Sequence, residues 1–293
     1  MHISFFGLKT KPFELTPDPE FLFMSRIHKK ALTYLNYGIT ENSGFILLTG
    51  EVGTGKTTLI RSVMKNVKED IKLARINNTR LTPEQLIYMI NEEFGIEAKN
   101  TDKAIMLREL TDFLIEQYAK CNRSVLIIDE AQDLTPSLLE EIRLLSNLET
   151  DKSKLLQVIL VGQPEIRKVL AQPDLRALKQ RINISCHIYP LTREETEEYI
   201  FYRLEIAGNR NALNFQKGSI DLIYDFSRGI PRLINIICDF VLLSAFFETT
   251  REISLDMVKQ IINDLEKENI YWQDATTEKY SGDIKFLKRF QKY

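Results

Sequence analysis

The segment GEVGTGKTT, Gly50 to Thr58, sets three glycines, one lysine and three threonines directly after the apolar run FILLT. Glycines let successive backbone N–H groups turn inward around an anion, where a Cβ would clash. A helix beginning near Lys56 adds its partially positive N-terminus. In the pattern G-x-x-x-x-G-K-T, Gly50, Glu51, Val52, Gly53, Thr54 and Gly55 form the cradle, with Thr58 at its far end. Lys56 supplies a mobile charge to the β- and γ-phosphates, and the Thr57 hydroxyl is a Mg²⁺ ligand. The expectation is a site for a nucleoside triphosphate, ATP, with Mg²⁺.

A second group of residues bears on what happens to that nucleotide. In SVLIIDEAQDL, the apolar residues Val125 to Ile128 bury a strand whose end presents Asp129 and Glu130. Asp129 is placed to hold Mg²⁺ through its water shell, and Glu130 to orient and deprotonate an attacking water. The structural alternative makes Glu130 a helix-cap acid before TPSLLEEI. The run LLQVILVGQPEI ends in Gln163, which suits either a hydrogen bond to the γ-phosphate or its water, or a cap on the following helix. Arg176 and Arg181 precede the strand INISCHI, at the rim where a neighbouring subunit's nucleotide would sit. An arginine finger supplied in trans accelerates hydrolysis by about 10³–10⁵-fold, and a plain surface position is the alternative for both residues. Arg232, after Gly229 and Pro231, falls in the first turn of a helix, where the dipole disfavours a cation. That position calls for a compensating anion, and the γ-phosphate is the candidate.

The elements that must position these residues follow from apolar periodicity. Five strand-like runs, FILLT, IKLARIN, SVLIIDE, LLQVILVG and INISCHI, alternate with helical segments. Such alternation predicts an α/β domain over 44–190 with a parallel five-stranded sheet and helices on both faces. From Leu191 to about residue 265 only helices are expected, forming an all-helical lid, with Thr192 and Ser254 as caps. The aromatic and proline-rich stretch FFGLKTKPFELTPDPEFLFMS leads into a helix, completing an N-terminal unit over 1–43. A polar linker and basic-aromatic tail occupy 266–293.

Composition removes several classes of function. The formal net charge of -2 offers no overall basic field for nucleic acid. Cys121, Cys186 and Cys238 read as reduced core residues, and His2, His28 and His187 lack zinc-ligand spacing. MHISFFGLK is not a secretory leader. The apolar run Leu233–Phe247 is short of a membrane span and carries Asp239. A cytoplasmic protein is expected.

In order and spacing, GEVGTGKT, VLIIDE, Gln163, KQRI and GIPR resemble the AAA+ ATPases, a branch of the P-loop NTPases. Together with FFGLKTKPFELTPDPEFLFMS, HKKALTYLNYGI, IIDEAQDL, LLQVILVGQPEI and GIPRLINIICD, they resemble the ExeA, or general secretion pathway A, type over residues 1 to about 265. The resemblance implies that Lys56 and Thr57 are Walker A, Asp129 and Glu130 Walker B, Gln163 sensor 1, Arg181 the finger and Arg232 sensor 2. It also implies an N-terminal arm packed near the adenine. Secretion-type members often continue into a membrane helix and a peptidoglycan-binding domain, whereas this sequence stops after KFLKRFQKY.

Two roles are open to such a chain. One is an oligomeric Mg²⁺-dependent ATPase that energises or assembles an envelope machine for secretion, pilus or exopolysaccharide export. The other is a DNA-associated ATPase such as a transposition helper. A sensor that does not hydrolyse is disfavoured by Glu130. In the tail, residues 284–293, Phe286, Leu287, Phe290 and Tyr293 form an apolar stripe among Lys285, Lys288, Arg289 and Lys292. This suits peripheral contact with an anionic inner-membrane surface, or docking on a partner or on the lid.

Overall fold

The computed structural model describes residues 2–41, 43–97, 102–150 and 153–267. The linker and tail, with the membrane contact expected of residues 284–293, lie outside these. The chain opens with the short helix α1 (His2–Phe5), an extended aromatic arm and α2 (Arg26–Glu41). The α/β unit follows as β1 (Phe45–Gly50), α3 (Lys56–Lys65), β2 (Ile71–Ile76), α4 (Pro83–Glu93), α5 (Lys103–Ala119) and β3 (Arg123–Ile128). It continues through α6 (Pro136–Leu145), β4 (Leu156–Gly162), α7 (Ile166–Val169), α8 (Arg176–Arg181) and β5 (Ile182–Ile188). The remainder is α9 (Arg193–Ile206), β6 (Asn214–Phe215), α10 (Ser219–Ser227), α11 (Pro231–Phe247), β7 (Glu252–Ile253) and α12 (Leu255–Lys267).

The five long strands form one parallel sheet in the order β2-β3-β4-β1-β5. Central strands β1 and β4 are buried along their whole length, as their unbroken apolar runs require, whereas edge strands β2 and β5 alternate. Residues of α2 and α3, including Leu35, Leu59 and Ile60, pack with Ile46, Leu48 and Ile127 in one core. On the other face, residues of α4, α5, α6 and α8 pack with Leu47, Leu126 and Val158. The order β3-β4-β1 leaves one strand, β4, between the acid-bearing strand and the phosphate-loop strand, with Gln163 at its tip.

A third core belongs to α9 to α12. Leu233–Phe247, the longest apolar run, lies within α11 and buries Ile234, Ile237, Val241 and Ala245 there. Among the described residues, no helix is long and apolar enough to cross a membrane. Thr192 caps α9 in a reciprocal box with Glu195, and the Ser254 hydroxyl accepts from Met257 N at 3.1 Å.

The structure departs from the sequence expectations in three places. The lid is not purely helical: β6 and β7 pair in parallel, Asn214 with Glu252 and Phe215 with Ile253. Two residues are too few to show a strand's alternation, so that ribbon left no signature in the sequence. Cys121 is exposed and has φ 61°, in the turn after α5; only Cys186 and Cys238 are buried. Finally, the first part of the N-terminal arm packs into the lid, with Phe6, Leu8 and Phe13 buried in the same core as Ile200 and Ile237.

Candidate nucleotide site

Strand β1 ends at Gly50, and the chain then turns so that α3 starts at Lys56. Gly53 and Gly55 take φ 80° and 95° in that turn. The Lys56 side chain folds back into the loop, donating to Gly50 O at 2.7 Å and Glu51 O at 2.9 Å. Burial pushes its pKa down from the ordinary lysine value, while the carboxylates of Glu130, Asp129, Glu51 and Glu165 oppose the shift. A lysine so held is a cation kept in place by carbonyl dipoles and facing an anion's position.

Asp129 follows β3 and is nearly buried. Its Oδ2 accepts from Thr57 Oγ1 at 3.2 Å and from Arg75 Nη2 at 2.8 Å, and its Oδ1 accepts from Glu130 N at 3.1 Å. Thr57 and Asp129 therefore present two hard oxygen donors side by side, the donor set that suits Mg²⁺. Glu130 stands in the left-handed region at φ 51° and is exposed, its carboxylate turned away from a helix-capping role. Gln163 lies at the tip of β4, and its backbone N donates to Gln132 Oε1 at 2.9 Å.

The lid closes the other side. Arg232 sits in the first turn of α11, as its position after Pro231 implies, and its backbone N donates to Gly53 O at 3.2 Å. The loop, Glu130, Gln163 and Arg232 all border one cleft, which residues Glu14–Asp18 and Phe21–Phe23 of the arm also line. Arg181 does not reach it. Register pairs Ile182 with Phe45 and Ile188 with Gly50, so Arg181 lies at the opposite end of the sheet from the loop. At ~3.3 Å per residue that is roughly 20 Å away. Its guanidinium donates to Ser146 Oγ at 3.0 Å, beyond the end of α6, while Arg176 is exposed at the start of α8.

Four residues at the site escaped sequence reasoning. Arg75, on β2, forms a buried ion pair with Asp129 and leaves its own Nε without a partner. His28 is buried on α2, with Nδ1 2.7 Å from Ser25 Oγ and Nε2 3.0 Å from Thr54 O. Since Thr54 O can only accept, Nε2 carries the proton and Nδ1 accepts from serine. Burial lowers the His28 pKa, which favours this neutral form. Arg203, on α9, is buried and donates to Pro12 O, to Tyr199 OH at 2.9 Å and to Glu14 O at 3.3 Å. Its guanidinium also lies 4.8 Å from the centre of the Phe21 ring. The fourth is Gln132, beside Glu130. Each is an ordinary residue type whose partner is distant in sequence or set by a turn, and no spacing pattern marks it.

A parallel sheet in this order, the loop after its central strand, acids at the end of β3 and a helical lid define an AAA+ P-loop NTPase. Residues 39–170 match the family described as "AAA domain". Among solved structures the fold resembles the Aeropyrum pernix ORC2 protein in its ADPNP–ADP complexes, at 19% identity, 92% coverage of this chain, 74% of that chain and a TM-score of 0.67. It also resembles Cdc6p from Pyrobaculum aerophilum, at 19% identity, 86% and 68% coverage and a TM-score of 0.63. Within this class the chain resembles the general secretion pathway A type. It is 43% identical over 254 residues to general secretion pathway protein A of Aeromonas hydrophila, covering 86% of this chain and 46% of that protein. The chain thus spans about half the length of that relative.

Proposed function

We propose that the chain binds ATP with Mg²⁺ in this cleft and hydrolyses it, with Gly50 to Thr58 cradling the phosphates. The observation that carries the proposal is the convergence of Lys56, Thr57, Glu130, Gln163 and Arg232 from both units on one cleft, with Asp129 bonded to Thr57 behind it. Thr57 and Asp129 would hold Mg²⁺, which when bound supplies charge neutralisation on the phosphate oxygens. Lys56 neutralises the β- and γ-phosphates. Glu130 takes a proton from water as its oxygen bonds to the γ-phosphorus and the bond to the β-phosphate oxygen breaks, leaving ADP and phosphate. Gln163 holds the water or γ-phosphate by a hydrogen bond. Arg232 reports the γ-phosphate to the lid, and the arm covers the base.

Its distance from its own loop suits Arg181 to act as a finger on the nucleotide of a neighbouring copy, so the working form is a homo-oligomer. The likeness to the secretion protein supports a role in energising or assembling an envelope-associated machine from the cytoplasmic side, with residues 284–293 as a peripheral membrane contact. DNA association draws support only from proteins 24% identical or less and is not favoured.

Two variants test the hydrolysis reading. Lys56→Ala loses a ground-state contact, so its affinity for a fluorescent ATP analogue should fall. Glu130→Gln should bind that analogue normally and turn over at least ~10²-fold slower, the scale of lost base catalysis. Turnover by Glu130→Gln near the parent rate removes the assignment. Proteins recovered with the Glu130→Gln form from cells would identify the machine.

A further inference from the structure

Gln132 occupies the single turn Ala131–Asp133 that follows the two acids. Its amide is held at both ends: Nε2 donates to Glu130 Oε2 at 2.8 Å, and Oε1 accepts from Gln163 N at 2.9 Å. The two ends are not interchangeable. A backbone N–H can only donate, so it selects the amide oxygen and leaves the NH₂ facing the carboxylate. The approach is close enough that a Cβ on Gly162 would lie 2.9 Å from Gln132 Oε1 and 3.3 Å from Gln132 N. Glycine at the last position of β4 is what admits the amide. The Glu130 carboxylate meanwhile stands exposed on a residue whose φ of 51° confines its backbone, and its Oε1 has no hydrogen-bond partner among the described residues.

We propose that Gln132 is the positioning residue of the general base. It ties down one oxygen of Glu130 so that the other faces the attacking water, and it anchors that carboxylate to the backbone of Gln163 at the tip of the neighbouring strand. An exposed glutamate left to itself samples several rotamers, and only a fraction of them place an oxygen within reach of the water. One amide bridging two strand ends restricts that sampling and makes the aim of Glu130 follow any displacement of Gln163. Gln132 touches neither nucleotide nor water in this scheme. The inference rests on the reading of Glu130 as base.

The test uses the full chain. Gln132→Met keeps length and volume but removes both hydrogen bonds; kcat should fall about tenfold while the KM for ATP stays within about twofold. Gln132→Glu can still accept from Gln163 N but sets a second carboxylate against Glu130. It should move the acid limb of the kcat profile to higher pH, because a like charge disfavours ionisation. In a Glu130→Gln background, Gln132→Met should cost nothing further. A Gln132→Met protein with unchanged or raised kcat, an unmoved acid limb in Gln132→Glu, or an equal fall in both backgrounds would each overturn the proposal. Should Gln132→Met fail to fold, Gln132→Asn, too short to span both partners, is read by the same criteria. Loss of activity in Glu130→Gln with a normal Gln132→Met rate rejects the positioning role alone, whereas an active Glu130→Gln rejects the base assignment beneath it.

Discussion

At the scale of single residues, the site is held by side chains that satisfy one another. Lys56 is satisfied by its own loop, Asp129 by Thr57 and Arg75, and Thr54 by His28. Behind the loop, His187 Nδ1 lies 2.9 Å from Thr49 Oγ1, which also accepts from Arg167 Nη2 at 3.1 Å. Burial, with Arg167 and Lys56 adding repulsion, pushes the His187 pKa from 6.5 down to about 4. The unfolded chain therefore takes up this proton first as pH drops. The stability linked to His187 is present above about 6.5 and is lost progressively as pH falls from there towards about 4. His187→Gln should flatten the decline in Tm across that window, measured by thermal denaturation at several pH values. Parallel curves for variant and parent would assign the acid sensitivity to other groups.

At the scale of elements, the turn between α10 and α11 decides where Arg232 stands. Gly229 has φ 74°, and a Cβ there would lie 2.0 Å from Leu191 O, on the segment that leaves β5 for the lid. Gly229 O accepts from Leu191 N at 2.8 Å, so the two segments are clasped backbone to backbone. Gly229→Ala combines a left-handed alanine with a clash that cannot relax through a side chain. It should cost about 2–4 kcal/mol in urea denaturation and weaken binding of an ATP analogue by displacing Arg232. A variant with parent-like midpoint and affinity would mean that the clasp yields freely. The elements were also where sequence reasoning reached furthest. The five strands showed because central parallel strands are unbroken apolar runs, and the loop because eight contiguous residues carry its chemistry. Gln132, His28, Arg75 and Arg203 stayed hidden because each acts through a partner that only the folded chain supplies. The β6–β7 ribbon was hidden by its brevity.

At the scale of the whole molecule, the site is shared between the α/β unit and the lid, and the proposed finger extends that sharing to a second copy. Arg181→Ala should bind ATP but hydrolyse it about 10²-fold or more slowly, given what a finger contributes. Mixed with Lys56→Ala protein, it should regain activity, since an intact loop on one copy then meets an intact arginine on the other. Turnover per chain that neither varies with protein concentration nor recovers on mixing would return Arg181 to a role confined to its bond with Ser146. The arm carries a different consequence, one that concerns how the protein is made. Phe5 O accepts from Arg251 Nη2 at 2.7 Å, Phe6 O from Asn209 Nδ2 at 2.7 Å and Lys9 N donates to Ala207 O at 2.7 Å. Phe5 and Phe6 thus bond to partners 246 and 203 positions further along the chain. Their loop-closure entropy must be met before those contacts return anything. Until the lid has been synthesised, Phe6 and Phe13 have no core to enter and the arm cannot form its wall of the cleft. The α/β unit can fold on the ribosome as a domain, while a complete nucleotide site waits for the lid to follow.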